Sequence, residues 1–352
     1  MPAKPDNWTD IQQRLRQPRP SLSPSRFSEA DFERFVQADA DAVKEKQVTT
    51  SVVPIIEGRI EDAKCIAGGI PLNNLDHLTD GTIVPGNPDI YYGARPEQLD
   101  RRVRDTISKH IIPSTQDDLP ICPNFFLAAK GPDGSLAVAT RQACYDGALG
   151  ARGMHTLRTY GQADSVLDSR AFTITSIYHG GTLKMYTSHR VDTTAPGQRS
   201  AYHMHQLRSF AMADTVETFR EGATFYRNAR NWAEEQRNEA IKNANEVASA
   251  LSGGQCGADA NSTSISSFES DTSVGRTPQH YLSFEGAEHA LSLGVDGTSD
   301  TTIDLVSVVT LDEQEPQSDN PKRSSEHLSP AQKKRHRTDD RRDARRSSLD
   351  LL

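Results

Sequence analysis

The chain has 352 residues, of which 35 % are hydrophobic and 25 % are charged, and its mean hydropathy is −0.64. This composition allows one or two folded domains and predicts that part of the chain is disordered. No run of about 18 apolar residues occurs and the N-terminus lacks the apolar core of a secretory signal, so we expect no membrane partner and no secretory route. The net charge of −8 excludes a uniformly basic protein, but ten Lys/Arg against four Asp/Glu fall between residues 321 and 346.

The first 58 residues form three segments with different compositions. Residues 1–27 are rich in Pro, Arg and Ser, which predicts disorder interrupted by one short helix over 8–15. Ser28 and Asp31 have the spacing of a capping box, and the apolar residues after them predict a helix over about 29–46. The apolar stretch 52–58 predicts an extended segment.

The central elements predict alternating strands and helices. Residues 80–93 have the pattern of two turns and two strands, and 96–111 that of an amphipathic helix beginning near a proline. A strand is predicted over 124–130. The segment 140–157 is helical in pattern, and its three glycines allow close packing against a sheet.

The last predicted elements are a hairpin and a long helix. Residues 171–189 alternate around Gly180-Gly181, which predicts a β-hairpin. Residues 216–251 predict a long helix, and no periodic pattern follows. We therefore expect an α/β domain over 28–251, with a mixed sheet flanked by helices and a long C-terminal helix, between disordered segments at 1–27 and 252–352.

Three features in the middle of this domain occur in a suggestive order. Pro88-Asp89 adjoins one extended segment, Lys130 ends the apolar strand 124–130, and Gln142 lies on the next helix. This order resembles the PD-(D/E)XK nuclease superfamily, which has the restriction-endonuclease-like fold. Four longer segments resemble a family of uncharacterised fungal proteins over roughly residues 50–245. The segments are 86–99, 123–134, 141–153 and 178–186.

The superfamily resemblance implies a restriction-endonuclease-like core and a function in nucleic-acid cleavage. In such a site two carboxylates at adjacent strand ends hold Mg²⁺, and a lysine stabilises charge or orients water. Carried over to this chain, Asp89 becomes the metal ligand, Lys130 the catalytic lysine and Gln142 a helix residue near the site. Nucleic acid is the implied partner.

The chain departs from this pattern at Ala128, where the second carboxylate is expected. We therefore expect a nuclease-like domain with impaired catalysis that retains phosphate or nucleic-acid binding. One alternative is a protein-interaction module without catalysis. The other is an active nuclease whose second carboxylate has moved, and a carboxylate other than Asp89 within about 4–5 Å of the Lys130 ammonium would favour it. Four candidates for that carboxylate follow from the sequence: Asp117, Asp118, Asp133 and Asp146.

Each candidate residue also has an ordinary structural explanation. Pro-Asp is a common turn dipeptide, a lysine often ends a strand, and a glutamine near a helix start usually faces solvent. His179, His203 and His205 suggest a metal site, but His203-Met204-His205 lacks helical ligand spacing, so we interpret it as strand or surface. The four cysteines form no CxxC pair, which favours reduced thiols in a cytosolic or nuclear protein and disfavours structural zinc.

The basic tail resembles a bipartite nuclear-import signal. We therefore expect nuclear localisation and an import receptor as partner, with electrostatic binding of phosphates as the alternative. The basic residues of the predicted signal are Lys322, Arg323, Lys333, Lys334, Arg335 and Arg337.

A second motif in the tail is apolar. The segment Ile303–Val306 precedes several acidic residues and resembles a SUMO-interacting motif, which would bind by adding a strand to a partner's sheet. The alternative is an isolated apolar patch in the tail.

Overall fold

The computed structural model describes residues 2–162, 168–191 and 200–253. Its helices are α1 (Trp8–Leu15), α2 (Glu29–Asp41), α3 (Glu45–Gln47), α4 (Val53–Glu57), α5 (Arg101–Ile111), α6 (Leu136–Arg158) and α7 (Val216–Gly253). Its strands are β1 (Ile66–Ala67), β2 (Ile90–Ala94), β3 (Ile121–Lys130), β4 (Thr173–His179), β5 (Thr182–Val191) and β6 (Ala201–Ala211). Within these described ranges, no helix combines the length and the hydrophobicity needed to span a bilayer.

Within the described ranges, six strands form one mixed sheet in the order β1-β2-β3-β4-β5-β6. All neighbours are antiparallel except β3 and β4, which are parallel and joined by the crossover helix α6. The predicted hairpin is confirmed as β4 and β5. Its turn uses Gly180 and Gly181, both with positive φ, which residues without a Cβ adopt at low cost.

Helix α6 covers one face of the sheet at short range. Gly150 lies so close to β3 and β4 that a Cβ there would be 2.7 Å from Phe126 Cε2 and 2.8 Å from Thr173 Cγ2. Gly147 is similarly placed against Thr175. The glycines predicted to permit close packing therefore do so, and this offsets their low helix propensity.

Helix α7 covers the other face with one apolar stripe. The predicted helix is confirmed, and its residues at helical spacing are buried along one face. Phe219 and Tyr226 of this stripe contact the core, where Tyr226 meets Phe125 of β3 edge-on at a ring-centroid distance of 5.1 Å. The buried residues of the stripe are Phe219, Ala223, Tyr226, Ala229, Ala233, Ala240, Ala244 and Ala248.

The N-terminal segment differs from its expected disorder. Helix α1 packs on α7, with Ile11 and Leu15 fully buried in the main core, and Leu22 and Phe27 are buried there as well. The Phe27 ring stacks on the Phe219 ring at a centroid distance of 4.6 Å. Sparse but well-spaced apolar side chains therefore join this polar segment to the domain, although its composition alone predicted disorder.

Three further elements differ from expectation. The capping box at Ser28 is confirmed, but its helix ends at Asp41 instead of about 46. Residues 48–57 are helical instead of extended, because Val52, Val53 and Ile56 bury their side chains from a helical turn. Of the two strands predicted in 80–93, the structure has only β2 there. The predicted tail, with its basic and apolar motifs, lies outside the described residues from 254 onward.

Candidate functional site

The ends of β2 and β3 bring two of the predicted site residues together. Ile90 pairs with Leu127 in antiparallel register, so Asp89, directly before β2, lies beside the last residues of β3. The Ala129 backbone N–H donates to Asp89 Oδ2 at 2.8 Å. Asp89 and Lys130 therefore lie side by side at neighbouring ends of β2 and β3.

Lys130 makes its shortest contact with a residue that the sequence did not indicate. Its ammonium donates to Glu45 Oε2 at 2.8 Å and lies 3.8 Å from Asp89 Oδ2. The Lys130 side chain is 12 % exposed, that of Asp89 16 % and that of Glu45 44 %. Glu45 arrives on α3, whose backbone lies against Gly131, where a Cβ would be 3.0 Å from Glu45 N. A second carboxylate thus lies within 4–5 Å of the lysine.

The electrostatics of Asp89 reflect this crowding of acids. Burial raises the pKa of Asp89 to about 7, the charge of Lys130 lowers it, and Glu45 raises it again through its charge and a side-chain hydrogen bond. With its pKa near 7, Asp89 can hold a proton at neutral pH or accept a cation in its place.

Asp146 of α6 adds a third acid. Its side chain is 1 % exposed and its Oδ1 has no hydrogen-bond partner. Burial raises its pKa well above the usual range, the charge of Asp89 raises it further and that of Lys130 lowers it. Gly86 adjoins Asp146 Oδ1 so closely that a Cβ would clash with the oxygen. Of the four acids considered as the missing ligand, Asp146 interacts with Asp89 and Lys130.

The structure also explains why position 128 carries no carboxylate. Ala128 is buried in an apolar cluster with Ala139 and Ala143 of α6. A carboxylate there would be buried in apolar surroundings, which is unfavourable without partners. The other three acids considered, Asp117, Asp118 and Asp133, are exposed.

Gln142 contacts the loop that precedes Asp89. Its Nε2 donates to the Asn87 backbone carbonyl at 2.8 Å, two residues before Asp89. The side chain is thereby directed at the loop that carries the acid. Gln142 is placed to position Asp89.

The donor set fits a hard divalent cation. Glu45 and Asp89 lie 2.8 Å and 3.8 Å from the Lys130 ammonium, and the buried Asp146, whose Oδ1 has no hydrogen-bond partner, interacts electrostatically with Asp89 and Lys130. Mg²⁺ needs only one or two carboxylates when waters and substrate phosphates complete its shell. Asp89 and Glu45 are the pair that would hold it.

The histidines lie elsewhere. Among the residues that the structure describes, the one group of three metal-ligating side chains with all ligand atoms within 4.8 Å is His189, His203 and His205. His203 and His205 lie on β6, in agreement with their interpretation as strand residues. His179 ends β4, and it is not part of this group.

The sequence did not indicate two of these residues, Glu45 and His189. Glu45 lies near the end of the helix predicted over about 29–46, in a polar segment. It reaches the sheet only because α2 ends at Asp41 and α3 begins at Glu45, so no spacing indicated it. His189 lies 14 residues before His203, and only the pairing of β5 with β6 brings the two together. An alternation pattern that predicted β6 as the partner of β5 is the one signal that would have indicated His189.

No curated protein and no solved structure shows significant similarity to the chain. A family profile matches residues 40–245, which include Glu45, Asp89, Lys130, Asp146 and the histidine group. Because this match covers more than half of the 352 residues, the chain belongs to the family described as Domain of unknown function (DUF7924).

Proposed function

We propose that this domain is a metal-dependent phosphodiester hydrolase of the PD-(D/E)XK type that acts on nucleic acid. The observation that carries the proposal is the Lys130 ammonium, which lies 2.8 Å from Glu45 and 3.8 Å from Asp89 at one end of adjacent strands. The order of β2, β3 and α6 further supports a restriction-endonuclease-like core. In this proposal Glu45 replaces the carboxylate missing at position 128. We therefore favour an active hydrolase over a nuclease-like domain with impaired catalysis.

The residues of the chain have distinct roles in this proposal. Asp89 and Glu45 would hold Mg²⁺, which supplies charge stabilisation on the phosphate and a more acidic bound water. Lys130 contributes a positive charge against the anionic phosphate. Gln142 holds the loop before Asp89, and the buried Asp146 interacts electrostatically with Asp89 and Lys130.

One observation favours the alternative of a protein-interaction module. The Lys130–Glu45 ion pair joins α3 to the sheet and leaves the lysine largely covered. A purely structural ion pair would look the same. Under this alternative Lys130 stabilises the fold and contacts no substrate.

Cleavage assays with the full chain separate these proposals. We expect cutting of single- or double-stranded DNA or RNA with Mg²⁺ or Mn²⁺, and its loss in Lys130→Met, Asp89→Asn and Glu45→Gln. Lys46→Met is the matched control, because Lys46 is exposed and adjoins Glu45 in sequence. Absence of cutting by the native chain on all four substrates, with folding confirmed by circular dichroism, would support the interaction module instead.

We also propose that the basic tail directs the protein to the nucleus through an import receptor. The support is the sequence of two basic clusters, which begin at Lys322 and Lys333. A fluorescent protein fused to residues 315–352 should accumulate in nuclei, and Lys333→Ala with Lys334→Ala should abolish this. Equal distribution of the native fusion between nucleus and cytoplasm would contradict the proposal.

The apolar tail segment Ile303–Val306 remains a proposed SUMO-binding strand. Titration of SUMO into the full chain should show saturable binding, which Val306→Ala should weaken. Binding unchanged in this variant would refute the assignment.

A further inference from the structure

The histidine group on β5 and β6 is separate from the acidic site and has an unusual hydrogen-bonding state. His189 is 1 % exposed, and both of its ring nitrogens lack a hydrogen-bond partner, as do His203 Nδ1 and His205 Nε2. Buried polar groups without partners are rare in proteins because their desolvation is unfavourable. Four unpartnered nitrogens in one place suggest a missing ligand.

The strand pairing explains how three imidazoles come together. His203 and His205 are two residues apart on β6 and so share one face of the sheet. His189 on β5 pairs directly with His203. The ring centroids of His189 lie 5.7 Å from His203 and 5.4 Å from His205, and those of His203 and His205 are 6.2 Å apart.

We propose that His189, His203 and His205 form a binding site for Zn²⁺ or a similar first-row divalent cation. Imidazole nitrogens suit zinc, and three histidines with an open fourth position are an established zinc arrangement. Ligand nitrogens around tetrahedral zinc lie about 3.3 Å apart when each Zn–N bond is about 2.0–2.1 Å. The present nitrogens, all within 4.8 Å of one another, reach that spacing through small side-chain rotations.

The surroundings favour ligation by neutral imidazoles. Burial and the neighbouring histidines lower the pKa of His189 to about 4, and burial also lowers the pKa of His203 and His205. Ligating histidine must be unprotonated, and a lowered pKa favours that form. A hydrogen bond with the Ala3 backbone orients His205, as second-shell carbonyls do in many zinc sites, and leaves Nε2 without a partner.

The group lies near the last strand of the sheet and faces one opposing charge. β6 is the last strand in the sheet order, and His203 and His205 are half-buried, although their unpartnered ring nitrogens are buried. Lys4, which lies over the Trp8 ring at 4.6 Å, acts electrostatically on His205 and opposes a cation. No carboxylate belongs to the group of three, so the fourth ligand would be water or hydroxide.

The test is a Zn²⁺ titration of the full chain after chelator treatment, with a chromophoric competitor at about pH 7.5, above the usual histidine pKa. We expect one tight site per chain. His203→Gln and His205→Gln should each weaken the affinity at least about 100-fold, because even second-shell changes cost 10–100-fold. His179→Gln is the matched control, since His179 lies on a neighbouring strand near the opposite end of the sheet.

A second measurement guards against variants that fail to fold. Co²⁺ bound to the native chain should give the intense visible absorption of a four-coordinate site without the thiolate charge-transfer bands of cysteine ligation. A weak six-coordinate spectrum would overturn the proposal. So would absence of tight Zn²⁺ binding, or equal binding by the native chain and all three variants.

Discussion

Replacement of Asp89 by asparagine is expected to stabilise the metal-free fold at neutral and alkaline pH, although it removes a residue proposed for catalysis. Asparagine keeps the side-chain oxygen that accepts the Ala129 N–H. It removes the negative charge beside Glu45 and Asp146, and Lys130 keeps its 2.8 Å contact with Glu45. The native carboxylate is therefore expected to destabilise the metal-free fold at this pH.

The magnitude follows from the pKa of Asp89, which burial above all raises from its usual 3.8 to about 7. Because the pKa is higher in the folded state, the folded protein binds more protons than the unfolded chain between about pH 4 and 7. The stabilisation by the neutral carboxyl is thus complete below about pH 4 and is lost as the pH rises through 7. At about 1.4 kcal/mol per pH unit, the loss is ~4 kcal/mol.

Urea unfolding of native protein and Asp89→Asn at about pH 4, 6 and 8, with a chelator present, measures this loss. The variant should exceed the native free energy of unfolding by ~4 kcal/mol near pH 8, and the excess should shrink towards zero near pH 4. Asp133→Asn is the control, because Asp133 is exposed. An excess that does not change with pH, or a native protein more stable than the variant near pH 8, would refute the reasoning.

Three further predictions concern packing. Ala128→Glu should lower the free energy of unfolding by about 3 kcal/mol or more, because it buries a carboxylate in an apolar cluster. The same variant should not increase cleavage. A stable variant with new activity would contradict this prediction. Gly150→Ala should cost about 1–3 kcal/mol in denaturant unfolding through its clash with Phe126, whereas alanine at an uncrowded helical glycine would stabilise. Deletion of residues 1–27 removes four buried apolar side chains, each of which contributes about 1.5–3 kcal/mol to stability. The deletion should therefore lower the melting temperature sharply or prevent folding. An unchanged melting temperature would show that this segment lies outside the domain.

Local patterns in the sequence predict the regular elements with strong periodicity. The hairpin around Gly180-Gly181, the crossover helix α6 with its glycines, and the long helix α7 were predicted because side-chain spacing and turn chemistry are local properties. The pairing of Asp89 with Lys130 was also expected, but from a resemblance carried by short motifs. The structure brings the two within 3.8 Å.

The composition of the two candidate sites depends on long-range packing. Glu45 reaches Lys130 across 85 residues, and His189 meets His203 and His205 through the pairing of β5 with β6. Residues 1–27 join the core through a few apolar side chains that composition does not reveal. Such contacts depend on how distant elements pack, and the energy of that packing is absent from any local pattern of residues.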